Sequence, residues 1–182
     1  MADPIIVYAA LAALTGILWL GALDKLRNFA AFEGAVAGYR LLPAILHRPF
    51  AAAFIGAELA TGAMLLTPDW RMAGAMLTLA ILAVATLGVA INLLRGNTDI
   101  DCGCGGLVHA SSGLSWWVVA RNGLPALLAV MVLASAGRAS RELVWFDGVT
   151  FFGAALALLG LYLVSNQLIE SHLRIQKTRS QS

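Results

Sequence analysis

Five stretches of this chain, at 5–23, 49–68, 72–94, 113–136 and 148–169, carry almost no charge. Each approaches the ~20 residues that a helix needs to cross a ~30 Å hydrocarbon core. Lipid has no water to satisfy a backbone N–H or C=O, so such stretches must close their hydrogen bonds internally, as helices. The chain therefore reads as an all-α, polytopic transmembrane helical bundle of about five spans. A hydrophobic share of 60% and a mean hydropathy of +0.82 leave no room for a separate soluble domain, and 1–182 reads as a single integral membrane domain. Glycine and alanine recur along every span and permit close helix contact in lipid.

The first stretch is preceded by no basic segment and followed by a poor cleavage site, so it is expected to stay in place as a span. Residues 172–182, with Arg174, Lys177 and Arg179, read as a solvated basic tail. Between the first two spans, Phe29, Phe32, Val36 and Tyr39 recur at helical spacing. That pattern predicts a short amphipathic helix at the membrane interface, ended or kinked by Pro43. Pro49 then falls in the first turn of the second span, where its missing N–H costs little.

Two ionisable residues lie inside spans. Glu58 falls near the middle of the second and Arg121 well inside the fourth. Charges at membrane depth cost a few kcal/mol and usually turn inward to find partners. One reading is a structural ion pair of Glu58 with Arg121, Lys25 or Arg40. The other is a polar pocket holding a quinone head group or relaying protons, and in either case Asn92 and Asn122 can add hydrogen bonds. Trp19, Trp70, Trp116, Trp117 and Trp145 sit near span ends, where an aromatic belt belongs. Gly34 and Gly38 form a Gly-x-x-x-Gly pair that is weak evidence for tight packing.

The chain has two cysteines, Cys102 and Cys104, in the loop Asp-Cys-Gly-Cys-Gly-Gly between the third and fourth spans. A disulfide across one intervening residue would close a small strained ring, comparatively oxidising and suited to transfer. Exchange requires a thiolate. Arg95 and His109 are the cations near in sequence that would favour it, whereas Asp101 would raise the adjacent thiol or accept its proton. Two unconnected thiols are the plain alternative. A metal site on Cys102, Cys104, His109 and a nearby aspartate is a further one, but C-x-C alone is poor spacing for one tetrahedral ion, and none is assigned.

Lys and Arg collect in 24–48, at Arg95 and in the tail, which by charge bias would be the cytoplasmic side and would carry the cysteine loop with it. Redox logic points the other way, because cytosolic thiols are kept reduced and the periplasm favours oxidation. The side stays open at this stage, with the chemistry leaning to the periplasm.

Gly21-x-x-x-Lys25-Leu26, the run Phe32-x-x-x-Val36-x-x-Tyr39-Arg40-Leu-Leu-Pro43, Glu58 and the Asp-Cys-Gly-Cys-Gly-Gly loop together resemble the MauE family of methylamine utilisation membrane proteins, itself similar to the DoxX-like membrane proteins. The resemblance implies a multi-pass protein of the bacterial inner membrane. It would be needed to mature the beta (light) subunit of methylamine dehydrogenase, a disulfide-dense periplasmic client. A MauD-like periplasmic protein of thioredoxin fold would be its partner. Cys102 and Cys104 then form the redox pair, and Lys25, Tyr39 and Arg40 the family's basic-aromatic linker.

The leading reading is thus a maturation factor, a thiol-disulfide oxidoreductase component. A non-catalytic assembly scaffold and a DoxX-type quinone-linked oxidoreductase stand beside it. Beyond a quinone no cofactor is implied, and a net charge of +2 with no basic nucleic-acid-binding surface argues against a nucleic acid partner.

Overall fold

The computed structural model describes residues 4–97, 100, 114–135, 152–164 and 167–168. Helix α1 spans Pro4–Arg27, α2 Phe29–Gly38, α3 His47–Leu66, α4 Arg71–Leu94, α5 Trp116–Arg121, α6 Gly123–Ser135 and α7 Phe152–Val164. Among the described residues four segments are long and apolar enough to cross a membrane: α1, α3 with its preceding turn, α4 with its preceding turn, and α5 with α6. This is a multi-pass, all-helical membrane bundle. The expected fifth span, 148–169, lies partly outside the described residues; α7 and residues 167–168 are its described part.

Helix α1 is the most buried of the four spanning segments and touches α2, α3 and α6. Ala10, Ala13 and Leu14 are buried against Leu65, Ala75, Leu128 and Val132, so residues from α1, α3, α4 and α6 meet in one core. Gly16 receives Leu159 of α7 on another face. Small residues at these crossings bring backbones together, which matters where lipid is as apolar as leucine.

Hydropathy alone stops the first span at 23, but α1 continues to Arg27 because nothing in Asp24-Lys25-Leu26-Arg27 breaks a helix. Lys25 and Arg27 also lie in its last turn, where cations complement the helix dipole. Asn28 interrupts the chain with φ −116° and ψ 42°, and its side-chain amide donates to the Asp24 carbonyl at 3.2 Å. Helix α2 stops at Gly38, earlier than Pro43 would require, because Arg40 takes a left-handed φ of 51°. Pro43 instead heads a 3-10 turn, Ala44–Leu46, that leads into α3 with Pro49 in its first turn.

Helix α4 ends in a Schellman motif: Gly96, at φ 74°, donates its N–H to Leu93, and Asn97 donates to Asn92. The fourth span is broken at Asn122. Pro125 has no N–H to give the carbonyl four residues back, that of Arg121, so α5 closes there and α6 starts at Gly123. Tracing the helices, the end of α1, all of α2, the start of α3, the end of α4 and the start of α5 share one end of the bundle.

Candidate functional site

The mid-span carboxylate has its partner. Lys25 Nζ donates to both oxygens of Glu58, at 2.7 and 3.0 Å. The two side chains are only 7% and 8% exposed. Side chains on a helix lean toward its N-terminus, so the lysine stem reaches back one turn and into the bundle. A Cβ at Gly21 would lie 3.5 Å from Lys25 Nζ, so the glycine leaves the ammonium room against the helix backbone. The same ammonium sits 5.6 Å from the Phe32 ring centre and 5.5 Å from that of Phe54, within cation–π range. Of the three partners weighed for Glu58, the lysine makes this bidentate contact.

The pair borders a cavity of about 110 Å3. Its aromatic wall is Phe32, Phe50, Phe54 and Tyr162, and its aliphatic wall is drawn mainly from α1 and from Ile81, Leu82, Val84 and Ala85 of α4. Tyr39, Arg121 and Asn122 complete the polar side. Arg121 and Asn122 are there because the chain breaks at Pro125 just below them. Asn122 is held by donating to Thr86 Oγ1 of α4 at 3.0 Å. The structure thus brings Lys25, Tyr39, Glu58 and Arg121 to one cavity.

Arg40 is not among the cavity-lining residues and is exposed. Asn92 is fully buried but turned to the helix end: its amide donates to the Gly88 carbonyl at 3.0 Å and its oxygen accepts from Asn97 at 3.3 Å. Cys102, Cys104, Asp101 and His109 lie outside the described residues. The residues bracketing that segment do not. Ile100 on one side and Leu114 on the other pack in one cluster with Val89, Val118 and Tyr39. Tyr39 belongs both to this cluster and to the cavity lining, its ring seated where a Cβ at Gly88 would come within 3.2 Å.

Sequence reasoning missed Phe50, Phe54 and Tyr162. For the first two a signal existed, because Phe50, Phe54 and Glu58 recur every four residues and so share one face of α3. The Phe50 and Phe54 rings lie 5.9 Å apart, and Phe32 of α2 packs against Phe54 in a tilted arrangement at 5.8 Å. Nothing local marks Tyr162. Trp19, expected in an interfacial belt, donates its indole N–H to the Leu59 carbonyl at 3.1 Å and ties α1 to α3.

A multi-pass helical bundle with a buried Lys–Glu pair facing an aromatic-walled cavity, under the ends of a two-cysteine loop, defines a polytopic membrane protein with an internal polar site. Residues 3–135 match the family model described as methylamine utilisation protein MauE, and the chain belongs to that family. The methylamine utilization protein MauE of Paracoccus versutus is 38% identical over 136 residues, covering 74% of this chain and 70% of the relative. That of Paracoccus denitrificans is 31% identical over 168 residues, covering 91% and 88%. The Methylophilus methylotrophus protein is 37% identical over 102 residues, covering 56% and 54%. No solved structure matches the chain.

Proposed function

We propose that this chain serves methylamine utilisation as an inner-membrane maturation factor that introduces disulfides into the beta subunit of methylamine dehydrogenase. Cys102 and Cys104 are the exchanging pair, facing the periplasm, and a MauD-like thioredoxin-fold protein carries the disulfide between this chain and the client. A thiolate of the reduced partner attacks one sulfur of the Cys102–Cys104 disulfide, giving a mixed disulfide and freeing the other cysteine. A second partner thiolate resolves it. The partner leaves oxidised, and Cys102 and Cys104 are left as thiols holding the two protons that the partner lost.

Family membership supports the pathway. The observation that carries the site reading is the shared packing of Ile100, Leu114 and Tyr39. Both ends of the cysteine segment are anchored at one place, beside a cavity with ionisable groups.

The test is labelling in intact cells with a membrane-impermeant maleimide, before and after mild reduction, using single-cysteine variants as controls. Label that appears only after reduction is the expected result. Label that enters only after permeabilisation overturns direct exchange with a periplasmic partner. Alongside it, Cys102→Ser/Cys104→Ser should insert normally yet abolish maturation of the client; normal maturation would favour a scaffold.

A further inference from the structure

The cavity beside Lys25 and Glu58 carries a ligand chemistry of its own. Val84 lies midway along α4, lines the cavity and is 48% exposed, so the cavity meets the bundle surface at the depth of the hydrocarbon core. A ligand entering there must dissolve in lipid. The volume is of the order of engineered cavities, about 150 Å3, that accept one aromatic ring. Phe32, Phe50 and Phe54 line it with aromatic surface against which a flat guest can pack.

The polar end suits a guest that changes between hydrogen-bond acceptor and donor. Lys25 has three N–H groups, and the carboxylate takes two of them. A carbonyl oxygen can accept from the ammonium or from Asn122, whereas a hydroxyl can donate to Glu58. One cation–carboxylate pair therefore serves a carbonyl and its reduced hydroxyl alike. Buried polar groups that meet both forms without rearranging stabilise neither at the expense of the other.

We propose that the cavity binds the head group of a lipid-soluble quinone, with its isoprenoid tail leaving past Val84. Resting on the redox reading above, the quinone is the electron acceptor that restores the Cys102–Cys104 disulfide. Two S–H bonds break and one S–S bond forms; the two electrons and two protons pass to the quinone, which becomes the quinol.

The experiment is equilibrium binding of decylubiquinone to the full chain in nanodiscs, followed by tryptophan fluorescence quenching and confirmed by cross-linking with an azidoquinone. Two variants probe the site. Val84→Trp fills the mouth and leaves the ion pair in place, and Lys25→Met/Glu58→Met removes the polar end without stranding a charge. Each should weaken binding about tenfold or more, and the cross-link should map to residues lining the cavity. Cys102→Ser/Cys104→Ser should bind as the unaltered chain does.

No saturable binding by the unaltered chain overturns the proposal, as does equal binding by both cavity variants. If binding fails while client maturation still needs the cysteines, the redox reading stands and the cavity proposal falls. If binding holds while maturation ignores the cysteines, the quinone site stands and its coupling to thiol oxidation falls.

Discussion

Lys25 and Glu58 meet through both carboxylate oxygens, from helices whose sequence positions are 33 residues apart, with almost no solvent contact. Either group left alone would be a charge at membrane depth. Breaking a buried pair by removing one partner costs about 3–5 kcal/mol, whereas replacing both with apolar groups of similar volume is often neutral. Lys25→Met and Glu58→Met are each expected to lower the stability of the detergent-purified protein by that order. The double variant should recover most of the loss. Thermal unfolding of the four proteins of the cycle measures this, and additive losses would mean that the two groups are not coupled.

Glu58 announced itself as a carboxylate inside an apolar run, and its candidate partners were few. Choosing among them required knowing where α1 ends. Hydropathy stops at Leu23 and leaves Lys25 in a linker, yet the helix continues to Arg27, and the lysine stem folds back over Gly21 into the core. The span pattern was legible because lipid imposes it residue by residue. The cavity was not, because it depends on a kink at Asn122, Tyr39 just past the end of α2 and Tyr162 from α7 meeting in space. Gly34 and Gly38 make the same point: the spacing pairs them, but Gly34 faces open space and only Gly38 has a close neighbour, Ile100.

Gly62 of α3 lies directly under the Trp19 indole, so that a methyl group there would fall onto the ring. The same crossing holds the Trp19 bond to Leu59 and a 3.4 Å hydrogen bond from the Thr15 hydroxyl to the Gly62 carbonyl. Gly62→Ala should therefore destabilise the α1–α3 contact by about 1–3 kcal/mol, the usual cost of overpacking. Trp19→Leu in the same chain should recover part of that loss. A thermal midpoint unchanged in Gly62→Ala would show that the indole swings away at no cost.

The Gly38 contact bears on the cysteine segment. A Cβ at Gly38 would come within 2.8 Å of Ile100 Cγ2, two residues before Cys102. Gly38→Val should displace Ile100 from the cluster that it shares with Tyr39 and Leu114. Faster maleimide labelling of reduced Cys102 and Cys104 is expected, with little change in the unfolding midpoint. Gly34→Val adds the same side chain to the same helix where nothing lies within 4 Å, and should label at the original rate. Equal rates in both variants would mean that the seat of Ile100 has no influence on the thiols.

Among the described residues, Arg40 and Gly96 take left-handed backbone conformations, and they invite reciprocal exchange. Gly96 holds φ 74° just past α4, with open space around its missing Cβ, so Gly96→Ala changes backbone preference and little else. Arg40 holds φ 51° just past α2, the position that glycine usually takes at a helix end. A side chain with this handedness costs about 1 kcal/mol relative to glycine. Gly96→Ala should lower stability by that amount. Arg40→Gly should move stability the other way, offset in part by the freedom that glycine gives the unfolded chain. Arg40→Asn, which tolerates the left-handed region, should fall between the original and Arg40→Gly. Unfolding midpoints of the three proteins decide the matter. A gain in Arg40→Gly would mean that the chain keeps a strained arginine at a stability cost, so the guanidinium has a use outside the fold. A loss would mean that its side chain contributes more to the fold than the backbone strain takes away.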